Sequence, residues 1–146
     1  MHKPSSSGSP LIFPVELEVR LRSLSIYPTP QRLMIAEALL ARHQHVTAEQ
    51  LYERLSQRAV GLSKATVYNT LGLFVKKGLL REVYVDSSRT FYDSNPQPHC
   101  HFYNLDTGTL TDIDQRWVRF SLLQELPAGT ELESAEVMIR VRNRDA

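Results

Sequence analysis

Cysteine is nearly absent from this chain, and long hydrophobic runs are absent altogether. The 146 residues include one cysteine, Cys100. A single thiol excludes an internal disulfide and also the four-cysteine zinc clamp that stabilises many small metal-dependent folds. Any metal would therefore be bound mainly through nitrogen and oxygen, and we expect no structural zinc held by four cysteines.

Membrane and secretion signals are also missing. No apolar stretch approaches the roughly 18 residues that a membrane-spanning helix needs. Residues 1–10 lack the apolar core of a signal peptide. With 42% hydrophobic and 23% charged residues, the composition is that of a globular protein rather than a disordered one. We expect a cytoplasmic protein with a flexible tail over residues 1–13.

Charge is unevenly distributed along the chain, although the net charge is only +1. Residues 1–81 contain 11 Lys/Arg and 5 Asp/Glu, whereas residues 82–146 contain 6 and 11. A basic first half suits a phosphate backbone, and an acidic second half suits cations or simple solubility. Two solvated surfaces without any function would show the same split, so motifs have to decide.

Four helices are predicted before residue 80. Each start signal precedes apolar residues at helical spacing, and the signals are Pro14, Thr29-Pro30, the capping box of residues 47–50, and Ser63. In the fourth helix Gly72 falls on the outer face, where glycine costs about 1 kcal/mol relative to alanine. Its presence indicates either close approach to a nucleic-acid groove or a neutral position.

Two strand-like runs follow the fourth helix. Residues 81–85 and 89–93 are rich in β-branched and aromatic side chains and flank the turn-prone Asp86-Ser87-Ser88. A hairpin after a recognition helix is typical of a winged helix-turn-helix, which reads DNA through that helix. We therefore predict a DNA-binding domain over residues 14–93. The proline-rich segment 94–98 is predicted to be a hinge.

A second, smaller domain is predicted over residues 99–146. Two strands flank the turn of residues 106–108, a helix runs from Asp114 to Leu126 with Trp117, Val118 and Leu122 inward, and a last strand spans residues 135–142. This β-β-α-β unit is too small to bury a stable core by itself. Pairing with a second copy would complete its core, and a dimer suits a palindromic DNA site. The fold class is thus α+β.

Histidine and aspartate side chains around the predicted hinge could hold one divalent ion. His99 and His101 lie two residues apart, so in a strand they project to the same side, about 6.5–7 Å apart. Without a thiolate, such ligands favour Fe²⁺, Mn²⁺ or Zn²⁺. A His-x-His pair is more often a pair of surface polar residues, but nearby carboxylates strengthen the metal hypothesis. The proposed ligands are His45, Asp93, His99, His101 and Asp112.

Cys100 would face away from these ligands, because adjacent strand residues point to opposite sides. It is either a small buried hydrophobe or a haem or redox ligand within the His-Cys-His run. In the first half, polar side chains suited to phosphates or base edges are also what any exposed helix carries. These DNA-binding candidates are Arg32, Lys64, Tyr68, Asn69 and Lys76.

Together these motifs resemble the ferric uptake regulator family from about residue 14 onward. The segments that carry the resemblance are TPQR (29–32), HVTAEQLY (45–52), SKATVYNTL (63–71) and HCH (99–101). The resemblance implies a homodimer that binds palindromic, AT-rich operator DNA and usually represses transcription when its hinge site holds Fe²⁺, Mn²⁺ or Zn²⁺. It also implies that the five ligands named above form that site and that Tyr68 contacts a base.

Departures from the family pattern point to two branches. Members with a structural zinc have Cys-x-x-Cys where this chain has residues 104–107, NLDT. Asp93, in place of a glutamate, resembles the peroxide-sensing branch. The HCHFY run ahead of Asp112, without the cysteine clamp, resembles the iron response regulator branch, which is tied to haem and iron status.

The expected function is therefore a metal-responsive transcriptional repressor of iron, metal or oxidative-stress genes, and not an enzyme. Within this class the alternatives are a haem-responsive regulator and a peroxide sensor. From other classes, a small non-haem Fe(II) enzyme would explain two histidines and a carboxylate, and a metal-free winged-helix interaction module would explain the first domain. The Fe(II) enzyme explains neither the recognition helix nor the charge split.

Overall fold

The computed structural model describes residues 14–145, which form two compact units divided between Pro96 and Gln97. The predicted tail over residues 1–13 lies outside the described residues. The division falls within residues 94–98, whose role as a hinge stays a prediction. Among the described residues no helix has the length and apolar character needed to cross a membrane.

The first unit contains all four predicted helices, α1 (Pro14–Ser23), α2 (Pro30–Leu40), α3 (Ala48–Ser56) and α4 (Lys64–Lys76). The starts of α2, α3 and α4 follow the predicted caps, because each cap oxygen satisfies an amide left free at a helix start. Thr29 Oγ1 accepts from Arg32 N at 3.3 Å, and Ser63 Oγ accepts from Thr66 N at 3.1 Å. At α3, Thr47 and Gln50 complete a reciprocal capping box.

A single apolar core joins these helices. α4 contributes Val67, Leu71 and Phe74, each fully buried. Two residues past its end, Gly78 has a φ of 82°, the left-handed conformation that glycine favours. The other fully buried side chains come from α1, α2 and α3 and from the segments between them, and they include Leu17, Leu21, Ile26, Ile35, Leu39, Val46 and Leu51. The core therefore fixes α4 against α3 with its opposite face exposed.

A three-stranded antiparallel sheet completes the winged helix-turn-helix. The predicted hairpin is present as β2 (Arg81–Asp86) and β3 (Arg89–Asp93). A third strand, β1 (His45–Val46), pairs with β3 and gives the order β1-β3-β2. Sequence reasoning missed β1, because two residues are too short to show an alternating pattern. β1 matters for function because it places His45 on the sheet.

The second unit is built on a sheet with the order β5-β4-β6. β4 (Cys100–Asn104) and β5 (Leu110–Ile113) form the predicted antiparallel hairpin, and Gly108 in its turn has a φ of 69°. β6 (Met138–Val141) runs parallel to β4. Parallel neighbours need a long connection, which residues 114–137 supply.

The prediction of a helix from Asp114 to Leu126 was wrong. Asp114 does cap a turn, accepting from Arg116 N at 3.0 Å, but the turn is a 3-10 helix of only Gln115–Trp117. Short helices depend on tertiary packing to form. Every residue from 119 to 136 is exposed, so this segment lacks such packing. Of the side chains predicted to face inward, Trp117 is 81% exposed and Leu122 is 64% exposed. The second unit of the single chain is therefore β-β-β rather than β-β-α-β.

Candidate metal centre and DNA-facing helix

The first unit brings together two of the five predicted ligands. His45 and Asp93 are direct cross-strand partners in the β1–β3 pair, and His45 Nε2 lies 3.0 Å from Asp93 Oδ2. Asp93 is fully buried, and its other oxygen accepts from the backbone N of Asn95 at 2.8 Å. The strand register therefore holds one imidazole and one carboxylate in fixed positions. We call this pair the first half-site.

The second unit brings together the other three. His99 Nε2 lies 3.0 Å and His101 Nε2 3.2 Å from the same atom, Asp112 Oδ1. The pairing of His101 with Asp112 across β4 and β5 places the carboxylate beneath the two rings, whose centroids are 4.3 Å apart. Both histidines are buried, and Asp112 is half-buried. We call these three residues the second half-site.

The hydrogen-bond partner of His99 Nδ1 leaves Nε2 facing Asp112, where a proton or a metal ion can lie between the two atoms. His99 Nδ1 lies 2.6 Å from Gln97 O, and a carbonyl oxygen only accepts, so Nδ1 carries the hydrogen. In a neutral ring, Nε2 then directs a lone pair at the Asp112 oxygen, which is repulsive unless a proton or a metal ion intervenes. Ligands at right angles, with bonds of about 2.0–2.2 Å, lie about 3 Å apart. The observed spacings of 3.0 and 3.2 Å suit both a hydrogen bond from a protonated ring and ligands that share a metal ion.

Cys100 is the first residue of β4, and its orientation away from the proposed ligands stays a prediction. It is buried, pairs across the sheet with Ile113, and lines a cavity of about 260 Å³ with His99, Val118 and Phe120 among others. Cys100 is not among the described residues whose potential ligand atoms group together. A metal held by the second half-site would therefore have nitrogen and oxygen ligands, a set suited to Fe²⁺, Mn²⁺ or Zn²⁺.

Four of the five DNA-binding candidates lie on α4, and all four are exposed. Lys64, Asn69 and Lys76 are open to solvent, and Tyr68 is 46% exposed. Gly72 lies on the same face, and a Cβ built there would meet no atom within 4 Å. Packing within this chain therefore does not require a glycine at position 72. The outer face of α4 carries polar and basic groups, with open space around Gly72.

Arg32 and Lys64 make contacts that sequence reasoning did not anticipate. Arg32, on α2, donates from Nη1 to Tyr27 O at 3.0 Å. The Lys64 ammonium lies 5.6 Å from the centroid of the Tyr52 ring, a cation–π arrangement that orients the lysine at the start of α4. Arg32 is therefore tied to its own domain, whereas Lys64 is held with its charge at the exposed helix terminus.

Sequence reasoning also missed two groups near the candidate sites. Tyr92 is buried on β3 and lines a cavity of about 470 Å³ together with Tyr68 and Glu82. Burial raises the pKa of Tyr92 above its ordinary value of 10.0, and interactions with Glu82 and Tyr68 raise it further. The second group is Gln44, which hydrogen-bonds with Ser94 beside the first half-site. Only the position of Gln44 between two histidines could have signalled it.

Comparisons with known proteins agree on one family. A model described as the ferric uptake regulator family matches residues 24–140. The peroxide-responsive repressor PerR of Staphylococcus epidermidis is 34% identical over 93 residues, which are 64% of this chain and 62% of the relative. The PerR of Staphylococcus aureus strain Mu50 is 35% identical over 93 residues, which are 64% and 63%. This chain therefore matches less than two thirds of the length of these relatives.

Solved structures share the fold. The ferric uptake regulator of Pseudomonas aeruginosa, solved with manganese, has a TM-score of 0.65 at 23% identity, covering 88% of this chain and 98% of that one. A zinc-bound manganese uptake regulator has a TM-score of 0.64 at 23% identity, with the same coverage. The predicted α+β fold class, a winged helix-turn-helix followed by a small sheet unit, is confirmed, apart from the missing helix.

Proposed function

This chain belongs to the ferric uptake regulator family, and on that premise we propose that it is a transcriptional regulator, acting in the cytoplasm, whose affinity for operator DNA is set by a divalent metal. The relatives named above are repressors and uptake regulators, which favours a regulator over an enzyme. Repression is the direction we propose, because the PerR relatives are named as repressors.

The observation that carries the proposal is the pair of half-sites. One ends directly before residues 94–98 and the other begins directly after them. In the proposal, His45 and Asp93 from the first unit act with His99, His101 and Asp112 from the second as one ligand set. A metal ion bound by ligands from both units would restrict movement at the hinge and favour one arrangement of the DNA-binding domain. A metal favours DNA binding only to the extent that it prefers the DNA-binding arrangement.

DNA would be read by the exposed face of α4. Lys64 and Lys76 are suited to phosphate oxygens, and Asn69 is suited to a base edge. Tyr68 can place its ring against the methyl group of a thymine. Arg32 would reach phosphate from α2 once it exchanges its bond to the Tyr27 carbonyl. Since two lysines would be neutralised by phosphates, affinity should fall with salt concentration.

We propose that the regulator acts as a homodimer on a palindromic, AT-rich operator. Within the described residues the second unit exposes large apolar side chains, which a partner would cover. They include Trp117, Phe120, Leu122, Leu123, Leu126, Leu132 and Ile139. A two-fold dimer presents two copies of α4, which matches the two half-sites of a palindrome.

The ligand set is tested with the double variant His99→Ala/His101→Ala. The variant should lose the metal-dependent retardation of operator DNA in a gel, while metal-free binding stays as in the unsubstituted protein. Thr111→Ala is the matched control, because Thr111 is exposed on β5 next to Asp112 and offers no imidazole or carboxylate. Unchanged metal-dependent retardation in the double variant would refute the ligand assignment.

The identity of the inducer is a finer part of the proposal. The donor set suits Fe²⁺, Mn²⁺ and Zn²⁺ alike, and without a four-cysteine site we propose one metal ion per chain. Elemental analysis of protein purified from its own host, combined with DNA retardation under each metal, identifies the ion. Oxidation of a ligand histidine after peroxide treatment, read by mass spectrometry, would assign peroxide sensing.

Haem is the alternative ligand, with Cys100 as its candidate. Cys100 and His99 line the same cavity of about 260 Å³. A haemin titration should show a saturable Soret shift that Cys100→Ala removes if haem is the inducer. Without a saturable shift, only the non-haem metal remains.

A further inference from the structure

Gln44, the residue before His45, joins the first half-site to the end of α2. Its Nε2 donates to Ala38 O at 2.8 Å and to Leu39 O at 2.9 Å. Carbonyls in the last turn of a helix have no partner within the helix. One side-chain amide, with two N–H donors, therefore satisfies two of them. A weaker contact, at 3.4 Å, reaches Arg42 O.

The other end of the same side chain reaches α3. Gln44 Oε1 accepts from Arg54 Nη1 at 2.9 Å. α3 is the first helix of the helix-turn-helix, and it packs against the recognition helix α4. Gln44 is half-buried. A single residue therefore holds α2 through its amide nitrogen and α3 through its amide oxygen.

The backbone of Gln44 is bonded to Ser94, the first residue of the predicted hinge. Gln44 N donates to Ser94 Oγ at 3.1 Å, and Ser94 N donates to Gln44 O at 3.3 Å. This bonded pair lies one residue along from the His45–Asp93 cross-strand pair. A movement of either strand at the first half-site therefore reaches Gln44 directly.

We propose that Gln44 is a positioning residue that couples metal binding at the first half-site to the orientation of α2 and α3, and through α3 to α4. The inference rests on the proposed function, because it presumes that metal and DNA binding are linked. Coupling needs an element that responds to one ligand and contacts the other site. Gln44 precedes His45 on the chain and hydrogen-bonds with Ser94, α2 and α3, so it meets that requirement, and it is neither a proposed metal ligand nor a proposed DNA contact.

The test compares the ratio of operator affinities with and without metal in full-length variants. Gln44→Ala should reduce this ratio by about 2- to 30-fold, the range found for residues within coupling networks. Gln57→Ala is the matched control, because Gln57 is an exposed glutamine at the end of α3. Metal-free operator affinity and the melting temperature are measured alongside, since a merely structural role would lower both and leave the ratio intact.

Linkage supplies a second readout. If coupling is reduced, operator DNA should also raise metal affinity less in Gln44→Ala than in the unsubstituted protein, by the same factor. If Gln44→Ala does not fold, Ser94→Ala tests the same coupling. This variant removes the hydrogen bond from Gln44 N to Ser94 Oγ without changing a residue of either helix. An unchanged ratio in the folded variant overturns the role of Gln44. A metal-independent unsubstituted protein would instead overturn the proposed function itself.

Discussion

His45 and Asp93 face each other directly across the β1–β3 pair, with His45 Nε2 3.0 Å from the buried carboxylate. A strand register, rather than a loop, sets the spacing of this half-site. Because a shift of β1 by one residue would turn His45 to the other face of the sheet, the register keeps the imidazole opposite the carboxylate. Preorganised ligands lose little conformational entropy on binding, which favours affinity.

Asp93→Asn should weaken metal binding strongly. The change removes a negative ligand while keeping the shape of the side chain. Loss of a residue that merely orients a ligand costs about 10- to 100-fold in affinity, so loss of the ligand itself should cost more than about 100-fold. Competition with a chromophoric chelator measures the dissociation constant.

The control for Asp93→Asn is Asp86→Asn in the turn of the wing. Asp86 accepts from Ser88 N at 2.8 Å and is exposed, so the same chemical change there should leave the metal dissociation constant as it is. Equal dissociation constants for the two variants would remove Asp93 from the ligand set.

Sequence patterns were sufficient for the helices of the first unit, because their signals are local. The caps at Thr29, Thr47 and Ser63 and the stop at Gly78 act within one helical turn. The grouping of His99 and His101 with Asp112 was also predictable, since hairpin pairing follows from the turn. The contact of Gln44 with Ser94 was not, because it joins segments 50 residues apart.

The region after Asp114 was mispredicted for a related reason. Its apolar spacing suits a helix, but the described chain offers nothing for that face to pack against. Periodicity predicts which side of a helix would be buried, whereas tertiary contacts decide whether the helix forms. A capping aspartate alone secured only the single turn Gln115–Trp117.

Gly72→Ala should stabilise the protein and weaken operator binding. Gly72 is in the middle of α4, where alanine is favoured by about 1 kcal/mol, and its Cβ would meet nothing within 4 Å. The variant should therefore have a higher urea midpoint. If the α4 face enters the major groove closely, the added methyl group should lower operator affinity. A rise in the urea midpoint with unchanged operator affinity would show that position 72 is neutral for DNA.

Tyr92 should make stability depend on pH in the alkaline range. Burial raises the pKa of Tyr92 above 10.0, with further contributions from Glu82 and Tyr68. In the unfolded protein, Tyr92 therefore loses its phenol proton at a lower pH than in the folded protein. The contribution of Tyr92 to the free energy of unfolding is therefore complete below pH 10, and it is lost as the pH rises through the pKa of Tyr92 in the folded protein.

Tyr92→Phe removes the phenol group of Tyr92, so the difference between the variant and the unsubstituted protein separates the titration of Tyr92 from that of the other tyrosines. Urea midpoints between pH 8 and about pH 11 should fall more steeply for the unsubstituted protein than for Tyr92→Phe. Tyr84→Phe is the control, because Tyr84 is 67% exposed on β2. Parallel pH profiles for the unsubstituted protein and Tyr92→Phe would contradict the raised pKa.

Leu123→Lys should weaken the proposed homodimer. Leu123 is 99% exposed among the described residues, within a segment whose apolar side chains a partner would cover in the proposed dimer. Burying a leucine contributes about 1.5–3 kcal/mol, which corresponds to a dimer dissociation constant raised by about 10- to 150-fold. Sedimentation equilibrium measures the constant, and Glu125→Lys is the control because Glu125 is exposed and already charged. An unsubstituted protein that sediments as a monomer, or a Leu123→Lys dimer of equal strength, would contradict a partner at this surface.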